Sequence, residues 1–189
     1  NGQLQMRQIQ KVQLKDLLGR DPIELNIKRI GIGLRGKTIL VTGAAGSIGS
    51  EIVRQLMIFP IKHLVLIDIA ETPMYHLENE LRALPHAFSI HFILADITNS
   101  DKMQAIFEEF HPDIIFHAAA YKHVPLMEEN PHEALRVNVG GTMNIIELSI
   151  RYNIRKFVMI STDKAVNPTN VMGASKRRVP AARLRKRLS

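Results

Sequence analysis

A short apolar run that breaks off at a glycine constrains this chain more than any other feature: residues 37–51 read KTILVTGAAGSIGSE. The run is too short for a helix and suits a buried strand, and the glycines after it leave room for a tight turn. SIGSEIVRQLMIF, residues 47–59, then repeats its apolar positions at helical spacing. Gly43, Gly46 and Gly49 therefore fall at three-residue intervals between a strand and a helix. In that setting Gly43 permits the sharp turn, Gly46 lets a diphosphate approach the main chain with no Cβ in the way, and Gly49 allows the helix to pack closely on the sheet. The start of the helix would offer the amides of Ala45, Gly46, Ser47 and Ile48, and a partial positive charge, to phosphates.

The same alternation continues. HLVLID (63–68), FSIHFILAD (88–96), PDIIFHAAA (112–120) and KFVMIS (156–161) read as strands. ETPMYHLENELRAL (71–84), with Thr72 as N-cap and Pro73 in the first turn, NSDKMQAIFEEF (99–110) and most of 128–152 read as helices. Strands alternating with helices imply right-handed crossovers, hence an α/β fold with a doubly wound, parallel, Rossmann-like sheet. Residues 1–36 are expected to form a helical lead-in around Leu14–Leu18 and a linker, IGIGLRG, with three glycines. Residues 37–176 are expected to form an incomplete dinucleotide-binding domain, and 177–189 a basic tail unrelated to it.

Asp68 closes the second strand 19 residues after Gly49, where a carboxylate can accept hydrogen bonds from the adenosine ribose hydroxyls. It could equally cap the following helix. With strand, glycines, helix and acid in register, dinucleotide binding is the favoured reading. A carboxylate there repels a 2′-phosphate, so NAD is expected ahead of NADP.

The bulk numbers remove other classes. An apolar content of 46% supports a packed core, and the absence of cysteine removes disulfides and thiolate metal sites, in keeping with a cytoplasmic setting. No apolar run approaches the ~18 residues of a membrane span. The net charge of +7 resides in the tail, because RRVPAARLRKRLS holds six of the basic residues and residues 1–176 keep 19 Lys and Arg against 18 Asp and Glu. Nucleic acid is therefore not an expected partner. The eight histidines show no ligand spacing, and no metal site is expected. The first residue is Asn1, which suggests a piece of a longer protein, so an upstream membrane anchor stays open.

TGAAGSIGSE, ADI, FHAAAYKHVPLME, NVGGT and STDKAVNPTNVMGASK, in this order, resemble the extended short-chain dehydrogenase/reductase superfamily. Within it they resemble the nucleotide-sugar 4,6-dehydratases, most closely the membrane-linked polysaccharide-biosynthesis branch acting on UDP-N-acetylglucosamine. The likeness runs from about Leu14 to Lys176, after which a C-terminal sugar-binding lobe would follow and is missing. The resemblance implies an NAD(P) cofactor, a nucleotide-sugar substrate and a homo-oligomer. It places Asp96 and Ile97 beside the adenine, Ala118, Ala119 and Ala120 along the cofactor groove, and Lys122 and His123 on the substrate side. Asn138 matches a residue tied to a structural water or proton path.

The reaction implied is oxidation at sugar carbon 4, loss of the carbon 5 proton with the carbon 6 hydroxyl, and return of hydride to carbon 6. By resemblance, Thr162 hydrogen-bonds the substrate, while Asp163 and Lys164 serve as general acid and base. The chemistry is reasonable: a carbon 4 ketone acidifies the carbon 5 proton, a Lys of lowered pKa can take it, and a buried Asp kept protonated can donate to the leaving hydroxide. Lys176 would bind the nicotinamide ribose. Four residues before it, on the same helical face, most of the superfamily has a tyrosine, but here Met172 stands, and a thioether accepts no proton at neutral pH. The branch resembled carries Met there, leaving Lys164, Lys122, Lys176 or a water as candidate bases. A 4-epimerase and a non-catalytic NAD(P)-binding regulatory module are the alternatives. Without a sugar-binding lobe, residues 1–189 alone are expected to be inactive.

Overall fold

Apolar residues alternate between the two faces of each central strand, and each face is covered by its own helices. The computed structural model describes residues 26–178. Its strands are β1 Thr38–Thr42, β2 His63–Asp68, β3 Ser89–Leu94, β4 Ile114–His117 and β5 Lys156–Met159, all parallel, in the order β3-β2-β1-β4-β5. Ile39 and Val41 of β1 and Leu64 and Leu66 of β2 face one core, while Leu40, Val65 and Ile67 face the other with Ile115 of β4. This two-sided burial is why the strands read as continuous apolar runs. Each fully buried Leu or Ile contributes on the order of 2 kcal/mol.

The helices in chain order are α1 Ile27–Leu34, α2 Ser47–Leu56, α3 Glu71–Arg82, α4 Ser100–Phe110, α5 Val124–Glu129, α6 Pro131–Ala134, α7 Thr142–Arg151 and α8 Val171–Arg178. A π-helical segment, Leu135–Gly141, joins α6 to α7, and a 3₁₀ turn, Asp163–Ala165, follows β5. Val53, Leu56, Met74, Leu77 and Leu81 of α2 and α3 fill the first core; Met103, Ile106 and Phe107 of α4 and Ile145 and Leu148 of α7 fill the second. The crossovers thus change faces between β1 and β4, opening a crevice at the carboxyl ends of those strands. At the opposite end Asp113, just before β4, accepts from Lys37 Nζ at 2.9 Å and from the Thr38 amide at 3.0 Å, fixing β4 beside β1.

Two local expectations change. The glycines read as a linker lie largely in α1: Asn26 caps it by accepting from the Arg29 amide at 3.0 Å, and Gly31 lies against the Phe59 ring. Each helical glycine costs about 1 kcal/mol relative to Ala, so here tertiary packing of Leu34 and Ile30 overrides propensity. Helix α3 begins at Glu71 after Ala70, so Thr72 lies inside the first turn and is not the N-cap. Asp68 supplies the restraint there, accepting from the Ala70 amide at 3.0 Å. The lead-in helix expected around Leu14–Leu18 and the tail from Val179 lie outside the described residues. Among the described residues, no helix is long and apolar enough to cross a membrane.

The glycines divide by what surrounds them. A Cβ at Gly49 would run into the Gly43 carbonyl, whereas one at Gly33 meets nothing within 4 Å. Gly49→Ala is expected to lose about 1–3 kcal/mol of stability in urea unfolding, while Gly33→Ala gains up to about 1 kcal/mol from helix propensity.

Candidate active site

The glycine turn is pressed against the chain leaving β4. Gly43 has φ +67°, and a Cβ on it would lie 2.5 Å from the Ala119 nitrogen. Gly46 precedes α2 in extended conformation, with no side-chain cap for the helix and only the Gly43 carbonyl near its missing Cβ, at 3.3 Å. It is exposed at the mouth of a cleft of about 310 Å³. The cleft is lined by Gly43, Ala45 and Gly46 from the turn, Asp68 from β2, Asp96 and Ile97 after β3, and Ala118, Ala119 and Ala120 after β4. These are the residues expected from the sequence. Tyr121, Val137, Ile69 and Pro73 are among the wall residues that were not foreseen. Ser47 and Ile48 are exposed on the first turn of α2 and are not part of the lining; Gly49 is buried behind the turn. Its task is to admit the Gly43 carbonyl rather than to bring the helix onto the sheet.

Asp68 lines the cleft and takes the restraining role at the start of α3. Its Oδ2 accepts from the Ala45 amide at 2.9 Å and its Oδ1 from the Ala70 amide, so the carboxylate ties the glycine turn to the start of α3. Each oxygen retains a further acceptor site. Asp96 accepts from the Thr98 amide at 2.8 Å and from Arg136 Nη1 at 2.9 Å. Burial pushes its carboxyl up, but those hydrogen bonds outweigh burial and hold it below the ordinary range.

A buried polar chain lies behind the cleft, and composition gave no hint of it. His117, 2% exposed at the end of β4, is 2.6 Å from Thr42 Oγ1 through Nδ1 and 2.9 Å from Thr142 Oγ1 through Nε2. Thr142 donates in turn to the Asn138 carbonyl at 2.7 Å. The Asn138 side chain accepts from the Tyr121 amide at 2.8 Å and donates to the Tyr121 carbonyl and to Ser175 Oγ, at 3.1 and 3.0 Å. His117, Asn138, Thr142 and Lys176 line a void of about 10 Å³, at the lower limit for one water. Burial, with a smaller contribution from the Lys176 charge, pushes the His117 pKa down to about 4. Burial also lowers Lys176, assisted by Lys122.

The segment after β5 is more open than expected. Asp163 Oδ1 accepts from Thr162 Oγ1 at 2.8 Å and from the Lys164 amide at 2.9 Å, with Lys164 Nζ 3.9 Å away. The Asp163 side chain is 90% exposed, and the Thr162 hydroxyl, followed by the Lys164 amide and charge, holds it below the usual carboxylate range. The expectation of a buried, protonated Asp163 is therefore not met among the described residues. Gly173 brings α8 onto this turn, since a Cβ there would collide with the Lys164 carbonyl. Met172 is 3% exposed and packs with Met127 and Ala134. It does not share the void beside Lys176, contrary to the expectation that both side chains enter one site. The two positions share a helical face, but Met127 of α5 and Ala134 of α6 enclose the Met172 side chain. Lys122 is exposed, and exposed His123 occupies the N-cap of α5.

With this geometry in hand, comparison with known proteins is informative. The family model described as polysaccharide biosynthesis protein matches residues 39–185, running past Lys176. The capsular polysaccharide biosynthesis protein CapD of Staphylococcus aureus is 49% identical over 94% of this chain and 30% of its own length. A UDP-N-acetylglucosamine 4,6-dehydratase (inverting) of Campylobacter jejuni is 30% identical over 74% of this chain and 40% of its own. A UDP-glucose 4-epimerase of Rickettsia typhi is 35% identical over 74% of this chain and 40% of its own. Among solved structures, Pen from Bacillus thuringiensis superposes with a TM-score of 0.70 at 33% identity, covering 76% of this chain and 43% of that one. The chain thus spans less than half the length of these proteins.

The buried histidine makes a pH prediction. His117 has a folded pKa of about 4 against an unfolded value of about 6.5, so between these the unfolded chain binds the extra proton. Its contribution to stability is present above pH ~6.5 and is lost as pH falls toward ~4, amounting to about 3 kcal/mol. Urea unfolding from neutral to acid pH should show a shallower loss for His117→Gln than for the wild type.

Proposed function

We propose a function from one premise: the chain belongs to the polysaccharide biosynthesis protein family. It is the NAD(P)-binding part of a nucleotide-sugar 4,6-dehydratase, with UDP-N-acetylglucosamine as substrate and a 4-keto-6-deoxy sugar as product, serving capsule or related glycan synthesis. The observation that carries this reading is the arrangement on one rim of the sheet. The glycine-lined cleft follows β1, the Thr162–Lys164 turn follows β5, and the helix bearing Lys176 packs on that turn.

The residues present fit a dinucleotide. Gly43 and Gly46 keep Cβ atoms out of the turn, α2 has no side-chain cap to compete with a phosphate, and the cleft runs from that turn to Asp96. The amides of Ser47 and Ile48 on the first turn of α2 would hold the diphosphate, since those of Ala45 and Gly46 donate to Asp68 and to the Gly43 carbonyl; Asp68 would hold the adenosine ribose, Asp96 and Ile97 the adenine, and Lys176 the nicotinamide ribose. When bound, the cofactor would supply a hydride acceptor for sugar carbon 4 and a hydride donor for carbon 6. Lys164 serves as the base for the carbon 5 proton, and Thr162 positions the sugar by hydrogen bonding. Lys122 and His123 flank the entry on the substrate side. Asp163 is ionised where it stands exposed. Cover by the rest of a longer protein would raise its pKa and make it the proton donor to the departing hydroxide. Met172 contributes packing, and the first proton passes to a lysine or a water.

The second reading is a nucleotide-sugar 4-epimerase, favoured by the relatives of that name. The Asp163-Lys164 pair, which epimerisation does not require, argues for dehydration.

The full-length protein incubated with UDP-N-acetylglucosamine is expected to give a product lighter by one water in mass spectrometry; an isomer of unchanged mass would establish the epimerase instead. Lys164→Ala should abolish solvent-deuterium incorporation at carbon 5 while dinucleotide binding persists. In calorimetric titration NAD should bind about tenfold more tightly than NADP, because the 2′-phosphate meets the Asp68 carboxylate. Asp68→Asn should narrow that gap.

A further inference from the structure

Arg136 lies on the π-helical segment, far in sequence from the loop that closes the adenine end of the cleft, yet it is bonded into that loop. Nη1 donates to Asp96 Oδ2 at 2.9 Å and to Thr98 Oγ1 at 2.7 Å. Nε and Nη2 donate to the Glu133 carboxylate, at 3.1 and 2.9 Å. One planar group is thus held by its own helix on one edge and grips the loop with the other. The neighbouring contacts make the docking close. A Cβ on Gly141 would lie 2.6 Å from Ile97 Cδ1, and Asn144 Nδ2 donates to the Ile97 carbonyl at 2.8 Å.

We propose that Arg136 is a positioning residue for base recognition, fixing the Asp96 carboxylate so that the cleft selects a dinucleotide whose base carries an exocyclic amine. The inference rests on the cofactor reading above. Asp96 spends one acceptor site of each oxygen on the Thr98 amide and Arg136, and each oxygen keeps one more. A carboxylate oriented from two sides in this way accepts from an amine N–H with little further ordering. Against a base that presents a carbonyl at the same place, it sets acceptor on acceptor. Without Arg136, Asp96 keeps only Thr98, through its amide and its side chain, and is freer to rotate away or to take up a proton. The groups that bear on its protonation are Arg136, which opposes it, and Glu133, whose charge favours it.

The test compares binding of NAD and of nicotinamide hypoxanthine dinucleotide, which has a carbonyl in place of the adenine amine, to the full-length wild type, Arg136→Ala and Arg136→Lys. The wild type is expected to prefer NAD about tenfold, the worth of one hydrogen bond to a charged group. Arg136→Ala should lose most of that preference through weaker NAD binding, while affinity for the hypoxanthine analogue changes less than about twofold. Arg136→Lys, which keeps the charge and one donor, should recover part of it and serves alone if the Ala variant does not fold. NAD affinity of Arg136→Ala should also begin to fall at a higher pH on acidification. Equal weakening of both dinucleotides would reduce Arg136 to a structural tie and overturn the proposal while leaving the cofactor reading intact. A wild type that binds neither would remove the cofactor reading and this inference together.

Discussion

The site depends on a steric fact: two backbones meet where no side chain fits. The turn at Gly43 touches the main chain of Ala118 and Ala119, and the Gly43 carbonyl occupies the space a Cβ on Gly49 would need. These contacts bring the ends of β1 and β4 together with the start of α2, and the crevice is what remains between them. The hydrogen bonds from Ala45 and Ala70 to Asp68 keep the turn from drifting off β2. Because a strained or displaced turn would move the helix start as a body, the shape of the crevice follows from this packing.

Behind the crevice, polar groups replace the apolar packing that fills the rest of the sheet. Thr42, His117, Thr142 and Asn138 satisfy one another with little access to water. Such a chain is costly if any member is removed, and it fixes side-chain directions where hydrophobic contacts would tolerate several. It ends at Tyr121 and Ser175, so the loop after β4 and the helix carrying Lys176 are held by the same asparagine.

The sequence announced the sheet well because both its faces are covered: strands of uniform apolar character separated by helices allow few other arrangements. It announced the glycine turn and Asp68 because each sits at a strand end, where position along the chain translates directly into position in space; Asp96 came only from the family resemblance. It was less informative where a residue's environment comes from another element. The direction of Met172 is decided by Met127 and Ala134, and the exposure of Asp163 by what covers β5. His117 and Arg136 were missed for the same reason: their partners are 75 and 40 residues away. The glycines of α1 misled because a glycine that spares space for Phe59 looks the same in sequence as one that frees a linker.

The π-helical stretch between α6 and α7 works as a shift of phase. A single residue more than an α-helix would use sends the side chains before it and after it to faces that an unbroken helix would not align. Arg136 thereby reaches the loop after β3, Asn138 reaches Tyr121 and Ser175, and Ile145 and Leu148 still enter the core. Deleting one residue here would restore a regular helix, rotate one half against the other by about 100°, and force a choice between the cleft and the core. The length of this segment is therefore as much a part of the site as the identity of its side chains.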